Sequence, residues 1–260
     1  MIGQTAVETG DPPSASSAAK PLMERPVRSG LRNRLLGALS NDDFALIQPH
    51  LEPVRLEFRK HLQSSNRTVK AIYFPDSGLA SVVAIGGEGK QTEVGVIGNE
   101  GMTGLPVVLG ADRSPCEVFM QVEGDGHCIT AANLDLLISD SPTIFRLMLL
   151  FAHTFLVQAS YTALANAKGS LEERLARWLL MVQDRLEAKE LVLSHEFVAL
   201  MLGVRREGVT IAVQHFETQG LISSARGSIT IEDRDGLQEE ANGLYGVPEA
   251  EYERLFPATV

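Results

Sequence analysis

Cysteine is nearly missing from this 260-residue sequence, which contains only Cys116 and Cys128. Two cysteines make no disulfide framework, and theirs is not the C-x-x-C spacing of zinc and redox sites. An iron–sulfur centre is excluded on the same ground, since it takes about four thiolate ligands. A surplus of positive charge is missing as well. Lys and Arg number 23 against 33 Asp and Glu, a formal net charge of -10. That excludes a chain coated in basic surface for nonspecific nucleic-acid binding, but not a small basic face on one element. No unbroken apolar run reaches the roughly 20 residues that cross a bilayer. Of the six histidines, His50, His61, His127 and His153 are scattered along the part before residue 160. They form no closely spaced set for a metal-dependent barrel enzyme, although haem ligation by one of them stays open. No nucleophile–base pairing stands out either. No catalytic residue and no metal site is therefore expected, and a reduced, cytoplasmic setting fits the cysteine usage.

What is present is apolar material for two modest cores: 44% hydrophobic and 22% charged residues over 260 positions. Residues 1–30 are rich in Ala, Ser, Pro and Gly and lack the apolar stretch of a signal peptide, so they are expected to form a disordered tail. Residues 31–140 are expected to form a β-rich domain, a sandwich or a barrel. Ser40 is placed to cap a helix carrying Phe44 and Ile47. Short alternating or β-branched runs then follow at Val54–Phe58, Ala71–Phe74, Leu79–Ile85, Thr92–Ile97 and Glu117–Val122. Turn signals separate them, among them Pro75-Asp76-Ser77-Gly78 and Gly124-Asp125-Gly126. Asn99–Leu109 reads as a glycine-flanked short helix or loop.

At Ser141-Pro142 the apolar period changes from two to about 3.6, predicting a helix over 141–168. Pro142 suits its first turn, where a missing N–H costs nothing. Phe145, Met148, Ala152, Phe155 and Ala159 lie on its apolar stripe, and Phe145, Ala152, Ala159 and Asn166 repeat at seven. The stripe fits a buried core helix. The heptad spacing, with small residues, also fits a seam against a second copy. After Gly169, Ser170 and Glu173 form an S-x-x-E capping box that opens another amphipathic helix. Its charged residues Glu172, Arg174, Arg177 and Arg185 are expected to face solvent.

The most informative stretch runs from Ser194 to Ala212. Ser194 can cap a short helix and Gly203 can supply the positive φ that ends it. A second helix starts almost at once. Val198, Leu202, Val204, Val209 and Ala212 provide apolar contacts, and Ala199 is the small residue where two helices could cross. This is the pattern of a helix-turn-helix, whose second helix enters the major groove. Its first turn presents Arg205, Arg206, Glu207 and Thr210. Arginine can bond guanine O6 and N7, and glutamate can accept from a cytosine amino group. Ser223 to Ile231 then reads as a hairpin with Arg226-Gly227 at its tip, a wing within reach of backbone phosphates.

From about Leu35 to Leu237 the chain resembles the Crp/Fnr superfamily of bacterial regulators. The resemblance rests on Leu35-Leu36-Gly37-Ala38-Leu39, on Tyr73-Phe74-Pro75-Asp76-Ser77-Gly78, on Gly98-Asn99-Glu100-Gly101-Met102-Thr103-Gly104 and on the helix-turn-helix and wing. It implies an α+β chain: a jelly-roll, cyclic-nucleotide-binding-like sensor over 31–140, a dimerisation helix over 141–168 and a winged helix-turn-helix over 169–237. A C-terminal extension covers 238–260. It also implies a homodimer on an inverted repeat in promoter DNA, with RNA polymerase as a further candidate partner. Arg206 and Glu207 match the arginine–glutamate pair that reads base edges. The family's second arginine falls at Ile211, a departure for which Arg205 is a candidate substitute. Gly208, inside the helix, costs about 1 kcal/mol relative to alanine. Cyclic-nucleotide binders of the family use a glutamate for the ribose and an arginine–serine pair for the phosphate. Glu100 and Arg113-Ser114 are similar in kind but more widely spaced, so no cyclic nucleotide and no cofactor is expected, and the effector is unidentified. The rival reading is a ligand-binding regulatory module whose C-terminal domain contacts protein instead of DNA.

Overall fold

The computed structural model describes residues 30–257, so the tail expected over residues 1–30 lies almost wholly outside them. The N-terminal part opens with two capped helices. In α1 (Arg34–Gly37) the Asn33 side chain accepts from Leu36 N, and in α2 (Asn41–Ile47) Ser40 accepts from Asp43 N. Strands β1 (Glu52–Leu56), β2 (His61–Gln63), β3 (Ala71–Pro75), β4 (Leu79–Ile85) and β5 (Gln91–Ile97) follow. After the short helix α3 (Leu105–Val108) come β6 (Glu117–Val122) and β7 (Gly124–Thr130). They form two antiparallel sheets in the orders β1-β7-β3 and β2-β6-β4-β5. Leu56, Ile72, Phe74, Val82, Ile97, Met120 and Ile129 from both sheets share one core. The expected barrel is thus two sheets around a common core, which hydrogen bonding does not close into a ring.

Two strands differ from the sequence reading. β2 is only three residues long and carries a register shift against β6, too little for alternation to register. Gly124-Asp125-Gly126, read as a turn, begins β7, the middle strand of its sheet. The glycines serve close approach here. A Cβ on Gly124 would lie 2.1 Å from Ser77 O, and one on Gly126 2.5 Å from Phe74 O. Backbone cannot yield as a side chain can. Gly124→Ala is therefore expected to destabilise the protein by about 2–3 kcal/mol, at the upper end of overpacking costs, measurable by denaturant titration.

Helix α4 (Ala131–Asp140) leads into α5 (Pro142–Lys168), capped by Ser141, whose side chain accepts from Ile144 N. Ile144, Met148, Phe151, Thr154, Gln158 and Ala165 are buried along one face. Gln158 bonds the backbone of edge strand β5 twice, accepting from Val96 N at 2.7 Å and donating to Val96 O at 3.2 Å. A sheet edge is thereby capped by a helix side chain. The opposite face stays apolar but uncovered, with Leu149 37%, Leu156 64% and Leu164 43% exposed. Although Arg146, His153 and Gln158 interrupt its apolar run, α5 is long and apolar enough by length and composition to cross a membrane. Its inner face is already committed to the sensor sheet.

The C-terminal part comprises α6 (Leu171–Leu186), β8 (Glu190–Leu191), α7 (His195–Leu202), α8 (Arg206–Thr218), β9 (Ile222–Ala225), β10 (Ser228–Ile231) and α9 (Arg234–Glu240). The capping box of Ser170 and Glu173 is complete in both directions. The core of this part (Trp178, Leu179, Val198, Val209, Phe216, Ile229) also takes in Leu79 and Val96 from the sensor strands. The chain then turns back. In α10 (Val247–Leu255) Tyr252 lies against Phe256 with ring centroids 4.9 Å apart, and both belong to the sensor core. The Tyr252 hydroxyl donates to Glu100 O at 2.8 Å. The extension is a strap across both halves of the molecule.

Candidate nucleic-acid interface

Helices α7 and α8 are set by local signals in the residues between them. Ser194 Oγ accepts from Phe197 N at 3.2 Å, and Gly203 ends α7 at φ +64°. Val204 N then donates to Ala199 O at 2.9 Å, which closes the turn tightly because Ala199 leaves room. Val198, Leu202, Val209 and Ala212 are buried between the helices. Arg205 is the N-cap of α8 and makes no side-chain capping bond, so the first amides of α8 are not satisfied by a side chain. That end of the helix favours an anion.

Arg205, Arg206 and Glu207 are exposed there. Among the described residues neither arginine, nor Arg226, is engaged in an ion pair. Thr210 is placed differently: its hydroxyl donates to Arg206 O at 3.1 Å and lies 3.1 Å from His195 Nδ1. It pins α8 to α7 instead of standing free. Ile211 is 64% exposed on the outer face. Gly208 sits where Leu171 of α6 approaches, since a Cβ there would be 3.0 Å from Leu171 Cδ2. A side chain at 208 would need that leucine to give by a few tenths of an ångström. The wing is the β9–β10 hairpin, registered Ser228 to Ala225, with Gly227 at φ +84° in its tip beside Arg226.

Residues 173–240 match the family model of the Crp-like helix-turn-helix domain. This part of the chain is a Crp-like helix-turn-helix domain. Over 80% of this chain and 98% of the other, the fold is shared with a Crp/Fnr-family transcriptional regulator from Eubacterium rectale, at a TM-score of 0.64 and 21% identity. The c-di-GMP-responsive regulator CLP of Xanthomonas campestris superposes at 0.62 with 17% identity, over 74% and 99%. FixK2 of Bradyrhizobium japonicum superposes at 0.61 with 16% identity, over 76% and 98%. No curated protein sequence matches the chain. The C-terminal part thus carries a Crp-like helix-turn-helix domain, and the chain shares the fold of these regulators.

The Crp-type head is docked on its own sensor through α6, and this corrects the reading of that helix's charges as solvated. Arg177 is 5% exposed and donates to the carbonyls of Leu244 and Gln158. Burial pulls its guanidinium down to about 10. Arg185 Nε meets Glu100 Oε1 at 2.7 Å, both side chains 10% exposed. Arg174 donates to Leu202 O. In isolation α6 would show these groups to water, but α7, α5, the sensor loop at Glu100 and the strap engage them.

The candidate effector residues are not brought together. Glu100 faces Arg185, whereas Arg113 is exposed and paired with Asp112 at 2.9 Å, and Ser114 Oγ accepts from Cys116 N. Arg113 and Ser114 instead border a cavity of about 580 Å³ between the β4–β5–β6 strands and α5, lined by Val82, Val94, Ile97, Leu149 and Leu156. Among the described residues no cluster of three or more His, Cys, Asp or Glu could hold a metal ion.

One residue at the domain contact escaped the sequence reading. Glu93 of β5 is 5% exposed. Trp178 Nε1 donates to its Oε1 at 2.7 Å and Ser81 Oγ to its Oε2 at 2.5 Å. The lone tryptophan was the available signal, because a buried indole N–H needs an acceptor. Burial pushes the Glu93 carboxyl up to about 7, against these hydrogen bonds and the nearby Arg177 and Arg185 charges. The packed interface therefore holds its proton more tightly than the unfolded chain does. The stabilising contribution of this group is full below about pH 4.5 and is lost as pH rises to about 7. Glu93→Gln keeps the shape without the charge. It is expected to be more stable than the parent at pH 8, by up to ~3 kcal/mol at 1.36 kcal/mol per pKa unit. That gap should close toward pH 4.5 in thermal melts.

Proposed function

We propose that this protein is a homodimeric, sequence-specific transcription regulator whose sensor domain adjusts how two heads meet an inverted repeat in promoter DNA. The observation that carries the reading is the pair of unengaged arginines, Arg205 and Arg206, at the open N-terminus of α8 within a Crp-like helix-turn-helix domain. An acidic chain repels a polyanion, so its DNA affinity has to come from a focused surface. These two residues with Arg226 of the wing are that surface, and Glu207 adds a base-edge acceptor.

The dimer reading is supported by the uncovered apolar face of α5. Phe145, Ala152, Phe155 and Ala159 are half-buried there, while Met148 is 1% exposed in its own sensor core. The seam is accordingly centred on Leu149, Ala152, Leu156 and Ala159, which keep the spacing of three and four along the helix. Sensor control is supported by the contacts of α6 with Glu93 and Glu100, since any shift of the sensor loop or sheet pulls on the helix that leads into the head. For the effector, the 580 Å³ cavity beside α5 is mainly aliphatic, and Arg113 at its border is already neutralised by Asp112. The protein acts in the cytoplasm, where its DNA is, and RNA polymerase is the further partner of a regulator bound at a promoter.

Selection of DNA from a random pool by the full-length protein tests the reading. Recovery of a two-fold symmetric site with half-sites about one helical turn apart supports it. If nothing is selected, with or without cell extract as a source of effector, the C-terminal domain contacts protein instead.

A further inference from the structure

The outward face of α8 carries one feature that charge does not explain. On a helix of 3.6 residues per turn, Glu207 and Ile211 are neighbours at i and i+4, and Gln214 follows at i+7 from Glu207. Val209, Ala212, Val213 and Phe216 face the other way and are buried. Ile211 is 64% exposed and takes no part in the core of either domain. A single exposed isoleucine is unremarkable on most surfaces. This one stands one turn beyond Arg206 and Glu207 on the face the helix offers to a groove, and Thr210 beside it is occupied by His195.

An apolar side chain cannot hydrogen-bond a base edge. In the major groove the one apolar group a base offers is the C5-methyl of thymine. We infer that Ile211 is a specificity-determining residue which reads a thymine methyl group, one turn further along the groove than the base read by Arg206. This rests on the DNA-binding reading given above. The charged first turn then supplies hydrogen-bond readout, and Ile211 adds a hydrophobic contact selecting T over C at one position of each half-site. Uracil presents the same hydrogen-bonding edge as thymine without the methyl, so it isolates the contact.

The test uses the full-length protein and the duplex it selects, with each thymine of the half-site replaced in turn by deoxyuridine. One thymine in each half-site should prove sensitive. Removing its methyl should weaken binding about fourfold per half-site and roughly fifteenfold for both, since one buried methylene-sized group contributes about 0.8 kcal/mol. In Ile211→Ala, which favours helix and touches no core, thymine and deoxyuridine should bind alike at that position while the rest of the site is still preferred. Ile211→Arg should shift the selected base there from T toward G. Uniform tolerance of deoxyuridine, or the same sensitivity in Ile211→Ala, would overturn the inference while leaving the regulator reading intact. Loss of all selection by the parent protein would instead remove that reading itself.

Discussion

Leu156→Glu is expected to convert the protein from dimer to monomer at micromolar concentration. Leu156 is 64% exposed in the single chain, so the change leaves the monomer's own core alone. In a two-fold seam through α5, each substitution would bury an unpaired carboxylate, and the symmetry brings two of them together. Burying an uncompensated charge costs several kcal/mol, so association should weaken by a factor on the order of a thousand or more, taking ~1.4 kcal/mol per tenfold. DNA binding should fall with it, by roughly a hundredfold at least, because two linked heads on one inverted repeat bind as a single multivalent unit. Light scattering and a gel shift on the same preparation measure both effects. Met148→Glu is a poor version of this test, since Met148 lies in the sensor core and its loss would unfold the domain. A parent protein that is already monomeric at micromolar concentration would sink the dimer.

Arg206→Ala and Arg226→Ala should both weaken DNA binding, but in different ways. Arg206 stands exposed in the first turn of α8, in no ion pair among the described residues. If it grips a guanine through O6 and N7, its loss should cost about 1–3 kcal/mol per half-site and flatten the preference at one base pair. Arg226 stands exposed at the wing tip beside Gly227, where a backbone phosphate is the nearer target. Its loss should weaken all sequences about equally and lower the salt slope by about one unit, as removal of a phosphate contact does. Fluorescence titrations across a salt series, on the selected site and on a version altered at the guanine, separate the two. Unchanged binding in both variants would mean that α8 is not the reading helix.

Much of this molecule was legible before any coordinates. Caps, turns and periods are local, and each acts within about one helical turn or one strand. Ser40, Ser141, Ser170 and Ser194 all cap the helices that their neighbours announced. Gly203 and Gly227 take the positive φ that their turns require. The helix-turn-helix was readable for the same reason, because two helices joined by so short a turn must carry their packing residues next to it. The rest depended on partners distant in sequence. Gly124 and Gly126 read as a turn because the strand that forbids them a Cβ lies some 50 residues away, at Phe74 to Gly78. Arg177 and Arg185 read as solvated because a helix considered alone shows them to water. Whether they stay there was decided by Glu100, Gln158 and Leu244, contributed by the sensor loop, α5 and the strap. The same holds for Glu93, an ordinary strand residue until Trp178 and the head close over it and desolvation raises its proton affinity. The sequence by itself determined most of the helices, their caps and the tight turn between α7 and α8, since these follow from short-range chemistry. Only the tertiary structure decided which charges are buried and how the head is held on its sensor, because burial belongs to surfaces that meet and not to any one segment.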